Sequence, residues 1–166
     1  MDTNKITVFL SATGTDEHIL RNDMCLMLQK AGIEVVFPTD FTDNDFSFTE
    51  DVKRNISQAT CSLHILGNSF GQTINGDASM SLTKFQYLEA KKKLKLNPEF
   101  KMFLWYPQQL IDGTKEILQE SFINEIRYGI EWNVVFATTS SPIQLVDDIR
   151  NMMETKEQMH FDIKDT

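Results

Sequence analysis

The chain has 166 residues, 41% apolar and 24% charged, enough for one domain with a core of its own. Sixteen basic against twenty-four acidic side chains give a net charge of −8, which excludes a surface that tracks nucleic-acid phosphates through a basic field. Seven Gly and four Pro exclude a low-complexity chain, and no apolar run reaches the ~18 residues of a membrane span.

Ile6–Leu10 (ITVFL) reads as a buried strand and ends in Ser-Ala-Thr-Gly. From Asp16 to Lys30 the residues Ile19, Leu20, Cys25, Leu26 and Leu28 recur at helical spacing, and Ala31-Gly32 closes the helix. Ile33–Phe37 is the next strand, stopped by Pro38. The polar stretch Pro38–Phe48 reads as a loop carrying Phe41, Phe46 and Phe48 among Asp40, Asp43 and Asp45. Such aromatics mark a contact surface, and the acidic run predicts a basic partner patch, with Lys91–Lys95 as a candidate complement.

A helix opens at Thr49 and runs through Val52 and Ile56, with Glu50 and Asp51 in its first turn. Cys61–Leu66 is a third strand, Gly67–Met80 a loop rich in Gly, Asn and Ser, and Ser81 the N-cap of a helix over Leu82–Leu96. Lys101–Tyr106 is a fourth strand, Thr114–Tyr128 a helix, Trp132–Ala137 a fifth strand and Pro142–Met153 a last helix capped by Ser141. The polar segment 155–166 reads as a frayed tail or the start of a linker, leaving 1–154 as the domain.

Strands alternating with helices predict an α/β, flavodoxin-like three-layer sandwich, a parallel sheet of about five strands covered by helices on both faces. Ligands in such folds bind outside the carboxyl ends of the strands. This selects the loops Ser11–Asp16, Pro38–Phe48 and Gly67–Met80. Cys25 and Cys61 sit in apolar patterns and read as reduced core residues of a cytoplasmic protein. The N-terminus lacks the basic-then-apolar pattern of a signal peptide. His18, His64 and His160 are too scattered for a metal site, and His64 reads as a satisfied strand residue. Arg21 reads as a surface ion-pair partner of Glu17, with a carboxylate at the site as the alternative. Neither GxGxxG nor GxxxxGK[ST] is present, so neither a hydride-transfer Rossmann site nor a P-loop is expected.

The segments VFLSATGTDE, CSLHILGNSFG and SLTKFQYLEA, with a second strand ending in Phe-Pro before a long loop, resemble the Toll/interleukin-1 receptor (TIR) domain, its prokaryotic branch above all. The resemblance runs from about Lys5 to Met153. Related prokaryotic domains share the pattern SxTxxxxxxA, here Ser81, Thr83 and Ala90. It implies an enzyme that cleaves NAD as substrate, with no resident cofactor or metal, active in antiviral defence and joined to or partnered by a sensor. It also implies self-association through the Pro38–Phe48 loop, with Phe46 completing a neighbour's pocket, and contact of Ser11, Ala12 and Thr13 with the dinucleotide.

Glu89 is the acid that the resemblance singles out, four positions after Phe85. Ser81, Phe85 and Glu89 share one helical stripe. An aromatic can hold a flat ring or wall off a ribose, and a carboxylate beside it can stabilise positive charge developing at the sugar carbon. The bland alternative is a solvated acid paired with Lys92 or Lys93. The chain departs from the SxTExEYxxA variant, which carries its acid where Lys84 or Gln86 stands here. Two other classes stay open: a TIR interaction module without activity, and a nucleoside deoxyribosyltransferase-like enzyme acting on free nucleosides.

Overall fold

A computed structural model describes residues 5–13, 17–39, 45–74, 76–129 and 131–165, with the backbone alone at 45 and over 155–165. In chain order the elements are β1 (Thr7–Leu10), α1 (His18–Lys30), β2 (Glu34–Val36), α2 (Asp45–Gln58), β3 (Cys61–Ile65), β4 (Thr73–Ile74), β5 (Asp77–Ser81), α3 (Leu82–Leu96), β6 (Lys101–Trp105), α4 (Gln108–Ile111), α5 (Ile117–Tyr128), β7 (Val134–Ala137) and α6 (Pro142–Asp165). Five strands form one parallel sheet in the order β2-β1-β3-β6-β7, and β4 pairs antiparallel with β5. The fold is the expected three-layer α/β sandwich.

Strand alternation divides the core in two. Val8, Leu10, Leu63, Ile65, Phe103 and Trp105 point to the layer of α1 and α6, where Met24, Leu28, Leu145 and Ile149 meet them. Phe9, Met102 and Leu104 point the other way, onto Phe48, Val52 and Ile56 of α2, Ala90 and Leu94 of α3, and Phe122 and Ile126 of α5. Burying each such side chain contributes roughly 1.5–3 kcal/mol, so the continuous apolar runs of the strands are explained by double-sided burial. Gly32 ends α1 at φ 81°, a left-handed conformation, and its N–H donates to Gln29 O.

Four expectations change. Phe46 and Phe48 lie on α2, which begins at Asp45, rather than on a loop; residues 40–44, Phe41 among them, lie outside the described residues. Phe48, Val52 and Ile56 form an i, i+4, i+8 stripe buried in the core, and that burial extends the helix toward its N-terminus. The Gly67–Met80 stretch contains the β4–β5 hairpin, with β5 running into Ser81. The last sheet strand starts at Val134, leaving Trp132 exposed, because Asn133 turns inward and its side-chain amide donates to Pro98 O. Finally, α6 continues past Met153 to Asp165 through a segment with neither Gly nor Pro to stop it.

Candidate functional site

The carboxyl ends of β1 and β3 lie side by side at the centre of the sheet, and the strand order reverses there: β2 leaves β1 on one side, β3 and β6 follow on the other. The chain after β1 is tied down at once. Ser11 N–H donates to Leu63 O at 3.0 Å, and Ser11 Oγ donates to Ala12 O at 3.2 Å. Gln86 of α3, fully buried, then grips Ala12 from both sides: Ala12 N–H donates to Gln86 Oε1 at 2.7 Å, and Gln86 Nε2 donates to Ala12 O at 3.0 Å. The peptide donors of Ser11 and Ala12 are therefore engaged within the chain. Of the three residues expected there, Thr13 lines a cavity.

That cavity, of about 390 Å³, is walled by Thr13, Glu17, Gly67, Ser69, Glu116 and Gln119 among others. Glu17, the residue before α1, is 5% exposed and lies against Gly67, where a Cβ would fall 1.6 Å from Glu17 Oε1. Only glycine at 67 leaves room for that carboxylate. Glu116 precedes α5 without capping it; its Oε2 instead accepts from Phe70 N–H at 3.1 Å. Gln119 Nε2 donates to Gly67 O at 2.8 Å.

The stripe on α3 is divided by its surroundings. Ser81 is buried and caps the helix, its Oγ accepting from Lys84 N–H at 3.1 Å. Phe85 packs on Phe48 with ring centroids 6.4 Å apart. Phe85 and Glu89 line a second cavity of about 520 Å³ between α3 and the β4–β5 hairpin, with Asp77, Leu88, Lys92 and Lys95. The Glu89 side chain is 11% exposed and its Oε1 accepts from Lys92 Nζ at 2.9 Å. Of the two positions where the SxTExEYxxA pattern carries its acid, 86 is occupied by the amide that holds Ala12 and 84 by a lysine.

The lysine face is largely used by the chain itself. Lys91 pairs with Glu131 at 3.1 Å; burial opposes its charge, but Glu131 and Tyr87 outweigh that and leave its pKa above the ordinary value. Lys93 donates to the carbonyls of Ile56, Ser57 and Ala59 at the end of α2, and burial lowers its pKa. Asp51, expected in the first turn of a helix, is turned inward: its Oδ2 accepts from Thr39 N–H at 2.7 Å. Phe46 is 71% exposed on the first turn of α2 and lines neither of these two cavities.

Arg21 Nε donates to Ser11 O at 3.1 Å, and its guanidinium lies 5.1 Å from the centre of the Phe37 ring. Burial lowers its pKa, with Cys25 acting in the opposite direction. His64 is on β3 as expected, yet only its Nε2 is bonded, to Ser62 Oγ at 2.9 Å, while Nδ1 has no partner among the described residues. Among the described residues no group of three His, Cys, Asp or Glu side chains could hold a metal, and no helix is long and apolar enough to cross a membrane.

The sequence reading chose loops at the strand ends, named Glu17 only as an ion-pair partner of Arg21, and did not single out Glu116 and Gln119 of this cavity. The Ile-Leu-Gly-Asn run after β3 was the available signal, since a glycine at the end of a central strand marks a close approach. No curated protein matches the chain. The model of a domain of unknown function, DUF4062, matches residues 7–154, from the first residue of β1 into α6. With that match spanning the whole sheet and both helical layers, the chain belongs to the DUF4062 family.

Proposed function

We propose that the domain cleaves the nicotinamide–ribose bond of NAD, the activity of the TIR domains that its sequence resembles. The observation that carries this reading is Glu89: a carboxylate largely withdrawn from solvent, beside Phe85, in a cavity rimmed by Lys92 and Lys95. The C1′–N bond breaks with its electron pair leaving on nicotinamide, so the ring loses its positive charge and the sugar carbon gains it. The leaving group needs no proton, and one carboxylate suffices to stabilise the oxocarbenium-like centre. Lysine ammonium groups suit the pyrophosphate as compact point charges. Capture of the sugar carbon by water, with loss of a proton, gives ADP-ribose; capture by an internal nucleophile gives a cyclic isomer.

The same resemblance supports a role in prokaryotic antiviral defence, under a fused or separate sensor and with activity switched on by self-assembly. A second reading, an interaction module without activity, is favoured by the exposed Phe46 ring. A substrate panel tests both. NAD, free ribonucleosides and 2′-deoxynucleosides are incubated with concentrated protein, with and without a crowding agent, and the released bases are separated by chromatography. Nicotinamide release from NAD alone supports the proposal. Base release from free deoxynucleosides would replace it with the transferase class, and silence throughout would leave the interaction module.

A further inference from the structure

The lysines in the second half of α3 differ in what holds them. Lys91 pairs with Glu131, and Lys93 is committed to three carbonyls at the end of α2. Lys92 and Lys95, almost one turn apart, line the cavity that holds Glu89. Lys92 is bound there to the carboxylate itself: its Nζ donates to Glu89 Oε1 at 2.9 Å, from a side chain 69% exposed against 11% for Glu89. Asp77, the other acid of the lining, is occupied by Ser79, whose N–H and Oγ donate to it at 2.9 and 2.6 Å. A carboxylate withdrawn from solvent thus carries its counter-ion on a long, largely solvated stem. That counter-ion stands where a positive charge has to arrive. A nicotinamide nucleoside brings its charge on the ring and passes it to the sugar carbon as the C1′–N bond breaks with its electron pair on nicotinamide. An ammonium at Glu89 repels the first and cancels the field that stabilises the second.

We infer, on the cleavage reading of this cavity, that Lys92 makes the site selective for dinucleotides. It neutralises Glu89 until the substrate's pyrophosphate draws its ammonium away and leaves the carboxylate to the sugar. Opening the pair costs little, because ion pairs with an exposed partner contribute little. A pyrophosphate, with two negative charges and only acceptor oxygens, is a stronger partner for a compact ammonium than one carboxylate, and Lys95 adds a second ammonium to the same lining. A nicotinamide nucleoside without phosphate leaves the pair closed. Lys92 therefore acts through Glu89, as a specificity and positioning residue that does not touch the reacting atoms.

Nicotinamide release from NAD, nicotinamide mononucleotide and nicotinamide riboside tests the assignment; they share the cleaved bond and carry two, one and no phosphates. Wild-type kcat/KM falls in that order. Lys92→Met raises kcat/KM for the riboside by about tenfold, between the limits in water and near a protein surface for two unit charges ~4 Å apart, and narrows the gap between NAD and the riboside. A lysine that only bound phosphate would leave the riboside rate unchanged. The gain is absent in the double variant Glu89→Gln, Lys92→Met, because it acts through the carboxylate. Inorganic pyrophosphate, added at constant ionic strength, speeds riboside cleavage by the wild type, an arm that needs no variant to fold. A riboside rate unchanged or lowered in Lys92→Met, a gain that persists in the double variant, or no effect of pyrophosphate on the wild type overturns the inference and leaves NAD cleavage standing. No nicotinamide from any of the three substrates would remove the cleavage reading, and this role of Lys92 with it.

Discussion

Gln86 holds the end of β1 through two hydrogen bonds spanning 74 positions of sequence, and both Ala12 groups that it satisfies are buried. Replacing it with Leu leaves those groups unpaired, at on the order of 1–3 kcal/mol for each. Gln86→Leu is expected to lower the melting temperature by several degrees, measured by circular dichroism; an unchanged transition would show that the clamp contributes nothing. His64 makes a second test. Burial depresses its pKa from 6.5 to about 3, so the unfolded chain takes up a proton below pH 6.5 while the folded one does not. Stability from this site is therefore intact above pH 6.5 and is lost as pH falls toward 3, with a slope approaching 1.4 kcal/mol per pH unit. Urea denaturation across that window should show a shallower fall for His64→Leu than for wild type. At this scale the sequence was legible where chemistry is local, as at Ser81, whose cap bonds a residue three positions on. Gln86, Glu17 and Gln119 gain their roles from partners far along the chain, which no local pattern announces.

The helix α2 shows how composition can hide periodicity. Its opening, Asp45 to Phe48, is the end of a polar stretch that reads as loop, yet Phe48 begins the stripe that Val52 and Ile56 continue. Phe48 lies in the core and against Phe85, so Phe48→Ala should destabilise the domain by about 3–5 kcal/mol, measured by denaturant unfolding; a loss near zero would return Phe48 to a loop surface. The helix α3 was legible throughout, because its cap and its lysine face are both sequence-local. The β4–β5 hairpin was not, since strands of two and five residues with a largely exposed pattern carry little hydrophobic signal. Its presence matters to the site: together with α3 it forms the walls of the cavity that holds Glu89.

For the whole molecule, alternating strand and helix patterns foretold a parallel sheet, and the order β2-β1-β3-β6-β7 followed from which crossovers pack on which face. That order puts the ends of β1 and β3 at the reversal point, where α/β folds collect their ligands. Two cavities border α3, one acid-lined at the strand ends and one bearing Glu89 with lysines at its rim. Self-assembly belongs to this scale too. If the exposed Phe46 ring joins one protomer to the next, Phe46→Ser should abolish a rise in specific activity with protein concentration while leaving the fold unchanged, because the ring is outside the core. Specific activity that is flat on dilution in wild type would count against control by assembly.

The most direct test of the central claim is nicotinamide release from NAD by concentrated wild-type protein and by Glu89→Gln, which keeps the shape of the side chain and removes its charge. The wild type is expected to release nicotinamide and the variant to be at least 100-fold slower, with both proteins showing the same circular dichroism, the loss expected when a single stabilising group is removed from a developing charge. Equal rates in the two proteins would contradict the role given to Glu89, and no release by either would contradict the cleavage itself.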